Sequence, residues 1–149
     1  MANRPPRLDR VFQCHEFPLY FVTFNAFRHA PLLANALVHS RFVRFANEAQ
    51  SRNIAVGRYV IMPTHIHLFV SGPREFRLQG WVRQLKRALS SVIGRELPHW
   101  QEGFFDHLLR GSESYSAKWE YVRQNPVRAK LVITPEQWPY QGEITRLAM

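Results

Sequence analysis

Apolar residues recur along the chain with two different periods. Within residues 17–27, the run Leu19-Tyr20-Phe21-Val22-Thr23-Phe24 is dense in aromatic and β-branched side chains and predicts a buried strand. Over 33–52, Leu37, Val38, Phe42, Phe45 and Ala49 repeat at helical spacing, and Asn53 ends the helix. Two strands follow, 55–62 and 65–71, and the short break at Pro63-Thr64 makes them a hairpin that Gly72 and Pro73 close. Over 76–97 the helical period returns, with Leu78, Trp81, Val82, Leu85, Leu89 and Val92 as its core stripe. Residues 104–110 read as a strand. Ser112 or Ser114 caps a last helix running to about residue 125.

The order β-α-β-β-α-β-α predicts an α+β chain of the ferredoxin-like, split βαβ kind: an antiparallel sheet, two helices on one face and an added C-terminal helix. The other face is then left for an active site. The 149 residues fit one domain, with a basic Pro/Arg arm over 1–13, poorly ordered alone, and a tail over 133–149 that packs back through Trp138 and Tyr140.

Charge sharpens the picture. Twenty Lys and Arg against eleven Asp and Glu give a net charge of +9 and a pI near 10.6, which points to a polyanionic partner. No apolar run approaches the length of a membrane span and no signal-like segment follows the basic N-terminus, so nucleic acid in the cytoplasm is expected rather than a membrane. Cys14, the one cysteine, excludes an internal disulfide and any Cys-rich zinc site, and reads as a small half-buried residue. Arg83, Lys86, Arg87 and Arg95 fall largely off the apolar stripe of their helix. Arg83, Lys86 and Arg87, the arm residues Arg4, Arg7 and Arg10, and Arg123 and Arg128 offer a track for a phosphate backbone, or simply a solvated basic face. Trp81, Trp100 and Trp119 read as core rather than as base-stacking platforms.

Two short patterns carry candidate chemistry. In His65-Ile66-His67 on a strand, both imidazoles project to one face while Ile66 and Leu68 enter the core. Neighbouring imidazoles suit a divalent metal, although two histidines on a wet strand face also occur with no role or as phosphate contacts. A zinc deaminase would need further cysteines, and a histidine-triad hydrolase a histidine where Phe69 stands. In Tyr121-Val122-Arg123-Gln124-Asn125-Pro126-Val127, Tyr121 and Asn125 share a helix face, while Tyr115, Trp119 and Val122 fall on another that suits packing. The plain readings are a half-buried tyrosine with its hydroxyl in water, and an asparagine capping a new turn after Pro126.

Together these patterns resemble the single-tyrosine HUH transposases, and most closely the REP-associated tyrosine transposases. The resemblance rests on His65-Ile66-His67, on Tyr121 through Val127, on the Trp100 to Arg110 segment with its Asp106-His107 pair, and on Tyr20-Phe21-Val22-Thr23-Phe24. It covers roughly 17–132, in the same order and spacing. It implies that His65 and His67 bind Mg²⁺ or Mn²⁺, with Asn125 as a third, oxygen ligand. It implies Tyr121 as nucleophile in a single-stranded DNA endonuclease and strand transferase, forming a 5′-phosphotyrosine. The implied partner is hairpin-bearing single-stranded DNA at the nucleoid, with no small-molecule cofactor, and the protein a monomer or homodimer. Arg110 would contact phosphate; Asp106 and His107 match family positions whose roles the residues do not disclose. Two rival functions are a non-catalytic nucleic-acid-binding domain and a metal-independent RNA endonuclease using histidine as acid and base.

Overall fold

A computed structural model describes residues 11–13 and 17–148. Arg4, Arg7, Arg10 and Cys14 lie outside the described residues. The strands are β1 (Val11–Gln13), β2 (Leu19–Asn25), β3 (Ala55–Ile61), β4 (His65–Ser71), β5 (Phe105–Leu109), β6 (Gln141–Glu143) and β7 (Arg146–Ala148), and the helices α1 (Ala36–Ala49), α2 (Leu78–Ser90), α3 (Ser112–Val122) and α4 (Asn125–Arg128). One sheet runs β5-β2-β4-β3-β6 with every neighbour antiparallel. Its first four strands have the ferredoxin-like order that the periodicity predicts.

Alternation along the strands builds the main core. Val22, Phe24, Val56, Ile61, Ile66, Leu68 and Val70 point to the face that α1 and α2 cover, where Phe42, Phe45, Trp81, Leu85 and Leu89 meet them. Asn35 opens α1 by accepting the Val38 backbone N–H at 3.0 Å. Asn53, left-handed at φ 60°, turns the chain into β3.

Two expectations need correcting and a third gains detail. The second helix stops at Ser90 instead of continuing to 97, because the chain folds back through Pro98 and seats the buried His99 against Ser90, Nδ1 to Oγ at 2.8 Å. The arm is not loose to residue 13: β1 pairs in parallel with β7. The tail contributes β6 and β7, which periodicity cannot announce in strands of three residues.

The second sheet face is partly roofed. Tyr115 of α3 and Leu147 of β7 pack on Leu19, Phe69 and Leu109, and Val122 and Trp138 pack on Val60 and Met62. The Trp138 indole N–H donates to the Ile61 carbonyl at 3.0 Å. Gly57 sits where these layers close, since a Cβ there would lie 2.6 Å from Leu147 and 2.7 Å from the Tyr115 hydroxyl. Among the described residues no helix is long and apolar enough to cross a membrane.

Candidate nucleic-acid cleavage site

β4 places Ile66, Leu68 and Val70 in the core and His65, His67 and Phe69 on the roofed face. Across the β2 pairing, Asn25 faces His65, Thr23 faces His67 and Phe21 faces Phe69. Each imidazole is held through Nδ1: His67 by the Thr23 hydroxyl at 2.7 Å, His65 by the Thr64 hydroxyl at 3.0 Å. The tautomer that donates Nδ1–H to each hydroxyl leaves the Nε2 lone pair free, the form a metal ligand takes. The two rings stand nearly perpendicular, 78°, with centroids 4.7 Å apart, and Phe21 stacks on His67 at 5.4 Å.

This pair is less open to water than a bare strand face. Burial pushes both imidazoles below the ordinary value, His67 down to about 3. The charges of His65, Arg128 and Lys118 add to the burial at His67, and His29 adds to it at His65. Both rings are therefore neutral at physiological pH. Two neutral, oriented nitrogen donors in a cation-rich setting fit a divalent metal accompanied by anionic phosphate oxygens. Among the described residues no cluster of three His, Cys, Asp or Glu could hold a metal, so any third protein ligand would be of another residue type.

α3 lies over this face because Tyr115 and Val122 are buried on it, with Trp119 half-buried beside Phe69. Tyr121 turns away and is 64% exposed. The helix does not continue to Asn125. It ends at Val122, and Asn125 begins the separate turn α4, whose Pro126 is buried. Gln124, not Asn125, is the N-cap, and no side-chain cap bond forms there.

Arg128 joins the two turns. Its Nη2 donates to the Tyr121 carbonyl at 2.7 Å and to Asn125 Oδ1 at 3.3 Å, and its guanidinium lies 4.0 Å from the Tyr121 ring centroid.

The basic residues do not form one track. Arg83 and Arg87 are exposed on α2, in the layer on the opposite side of the sheet from α3. Lys86 instead reaches inward, donating to the carbonyls of Gln101 and Gly103 at 3.0 and 2.6 Å, with its ammonium over the Phe24 ring. Arg123 is paired with Glu136 and, at 3.6 Å, with Glu120. Arg110 is exposed beyond the end of β5. In β5, His107 faces Phe21 on the histidine side, and Asp106, paired with Val22, points the other way. Motif reading overlooked Thr23, Thr64, Phe21 and Lys118; strand alternation could have found the first, as Thr23 sits two residues after Phe21 on β2.

The family model described as "Transposase IS200 like" matches residues 21–125. A curated relative from Haemophilus influenzae (strain ATCC 51907 / DSM 11121 / KW20 / Rd), named a candidate REP-associated tyrosine transposase, is 29% identical over 96 residues, 55% of this chain and 54% of its own. The chain thus spans about half the length of that relative. The solved structure of a REP-associated tyrosine transposase bound to a REP hairpin superposes with a TM-score of 0.69, at 23% identity over 83% of this chain and 75% of the other. That likeness carries the fold.

Proposed function

The chain belongs to the IS200-like transposase family, and we propose that it cuts and rejoins single-stranded DNA beside REP-type hairpins through a covalent bond to Tyr121. The observation that carries this reading is the pair of hydroxyl-oriented imidazoles of His65 and His67, with Arg128 both touching the exposed Tyr121 and close enough for its charge to act on His67. The hairpin preference rests on the REP element that the similar solved structure holds.

In the step proposed, the Tyr121 phenol oxygen bonds to the scissile phosphorus and loses its proton. The bond from phosphorus to the 3′-oxygen breaks, and that oxygen takes up a proton as a 3′-hydroxyl. The phosphotyrosine conserves the bond energy, so attack by another 3′-hydroxyl reverses the step and joins strands. His65 Nε2, His67 Nε2 and Asn125 Oδ1 are the groups that would hold Mg²⁺ or Mn²⁺, which when bound polarises the phosphate and offsets charge in the transition state. Exposure suits Tyr121 to its role, because the nucleophile must reach a phosphate outside the fold.

Incubation with hairpin-bearing single-stranded DNA and Mn²⁺ tests the proposal. The wild type is expected to give an adduct that survives denaturation, and Tyr121→Phe none while still binding the DNA. An adduct of normal yield in Tyr121→Phe would remove Tyr121 from the chemistry.

A further inference from the structure

We infer that Arg128 is a positioning residue, one that locks the Tyr121 ring and the Asn125 side chain into a single unit rather than contacting the DNA backbone. The inference rests on reading Tyr121 as the nucleophile.

Three contacts converge on one side chain. Arg128 reaches the Tyr121 carbonyl, the Asn125 side-chain oxygen and the face of the Tyr121 ring. The geometry suits a guanidinium specifically, because a planar group can stack on a ring while its edge donates hydrogen bonds, and an ammonium cannot do both. The arrangement meets a need created by the backbone. Between Tyr121 and Asn125 the helix passes into a turn in which the Gln124 N–H donates to the Tyr121 carbonyl at 3.3 Å, which sets the backbone and leaves the two side chains to be oriented by other contacts.

An exposed tyrosine has two free torsions and would otherwise sample several rotamers. Placing a cation on the ring face favours one of them. Asn125 Oδ1 has a second lone pair, so the bond from Arg128 leaves it able to face another partner while its orientation is set. Both hydrogen bonds use Nη2, so swinging Arg128 off the ring toward a phosphate would give up two acceptors and the ring contact together. Arg83 and Arg87, which no such contacts engage among the described residues, are freer to meet a DNA backbone.

Two other roles predict different results. A phosphate contact would lower DNA affinity and flatten its salt dependence by about 0.7 in slope. A mere helix-end cap would lower the melting temperature and leave the rate alone. The experiment compares wild type, Arg128→Ala and Arg128→Lys in single-turnover cleavage of saturating hairpin-bearing single-stranded DNA with Mn²⁺. Affinity is measured in parallel on the Tyr121→Phe background.

Arg128→Ala is expected to slow cleavage roughly ten- to a hundredfold, as misplacement of a reacting group does, with affinity and salt slope unchanged. Arg128→Lys should not restore the rate, whereas added methylguanidinium should partly restore that of Arg128→Ala. A normal rate at saturation, or a loss confined to affinity, overturns the inference.

A readout without chemistry separates the two claims. With fluorotyrosine incorporated and the Tyr121 resonance assigned by its loss in Tyr121→Phe, Arg128→Ala should shift and narrow that line and leave those of the other tyrosines in place. An unmoved line sinks the positioning role. A wild type that forms no adduct sinks the nucleophile reading, while the spectrum still decides whether the ring is held.

Discussion

Thr23 and His67 face each other across the β2–β4 pair, and the hydroxyl of one lies 2.7 Å from Nδ1 of the other. The contact holds the ring plane of His67 and engages Nδ1, and in the tautomer that donates Nδ1–H to the hydroxyl Nε2 is the nitrogen offered to a ligand. Thr23→Val keeps the β-branched shape and removes only the hydroxyl. Its stability should fall by about 1 kcal/mol, since the part-buried His67 Nδ1 loses its partner, while Mn²⁺ affinity should drop by about ten- to a hundredfold, the usual cost of losing such an orienting partner. Calorimetric titration with Mn²⁺ checks this, and equal affinity in Thr23→Val would show that the hydroxyl does not set the ring.

Acid should weaken the fold. His67 titrates at about 3 when folded against an ordinary 6.5, and His65 and His39 are lowered in the same direction by burial. The unfolded chain therefore takes up these protons first. The contribution of these residues is fully present above about pH 6.5 and is lost as pH falls below it. Urea unfolding with chelator present, run from pH 7.5 to 5.5, should show steadily falling stability, with a smaller fall in His67→Gln. Identical slopes in the two proteins would contradict the burial of His67.

Salt dependence should sort the arginines. Replacing both Arg83 and Arg87 by Gln should flatten the salt slope of single-strand binding by about 0.7 for each phosphate no longer neutralised. Arg123→Gln should leave it unchanged, because Glu136 and Glu120 already engage that side chain. Binding measured across a salt series decides. A flattened slope in Arg123→Gln would mean that the ion pairs open for DNA.

Trp138 anchors the tail on the sheet face that α3 covers. Trp138→Ala should cost about 3–5 kcal/mol. Trp138→Phe, which keeps much of the packing but orphans the Ile61 carbonyl, should cost about 1–3 kcal/mol. Chemical denaturation of both variants provides the comparison; a neutral Trp138→Ala would place the tail outside the cooperative fold.

The long elements were legible because their periods are strong. In β4 and α2, core residues recur often enough that the sequence alone assigns Ile66, Leu68, Trp81, Val82, Leu85 and Leu89 to the core. The separation of Tyr121 from the packing residues Tyr115 and Val122 was legible for the same reason. Three-residue strands such as β6 and β7 carry no period, and their pairing is decided by partners distant in sequence. The charged residues misled most. Arg123, Lys86 and Arg128 look alike as surface cations, yet acidic side chains occupy the first, backbone carbonyls the second and an aromatic ring the third. Sequence shows that a cation is present and not which acceptor it meets.

Val11 and Arg146, paired in parallel, come from opposite ends of the described chain. Bringing them together requires closing the chain from Val11 to Arg146 into a loop, and the return is a ladder of three residue pairs. Such a contact forms late in folding and opens first in the native state. Amide protons of this small sheet should exchange with solvent well before those of β2 and β4, so the two ends can part while the histidine pair keeps its geometry.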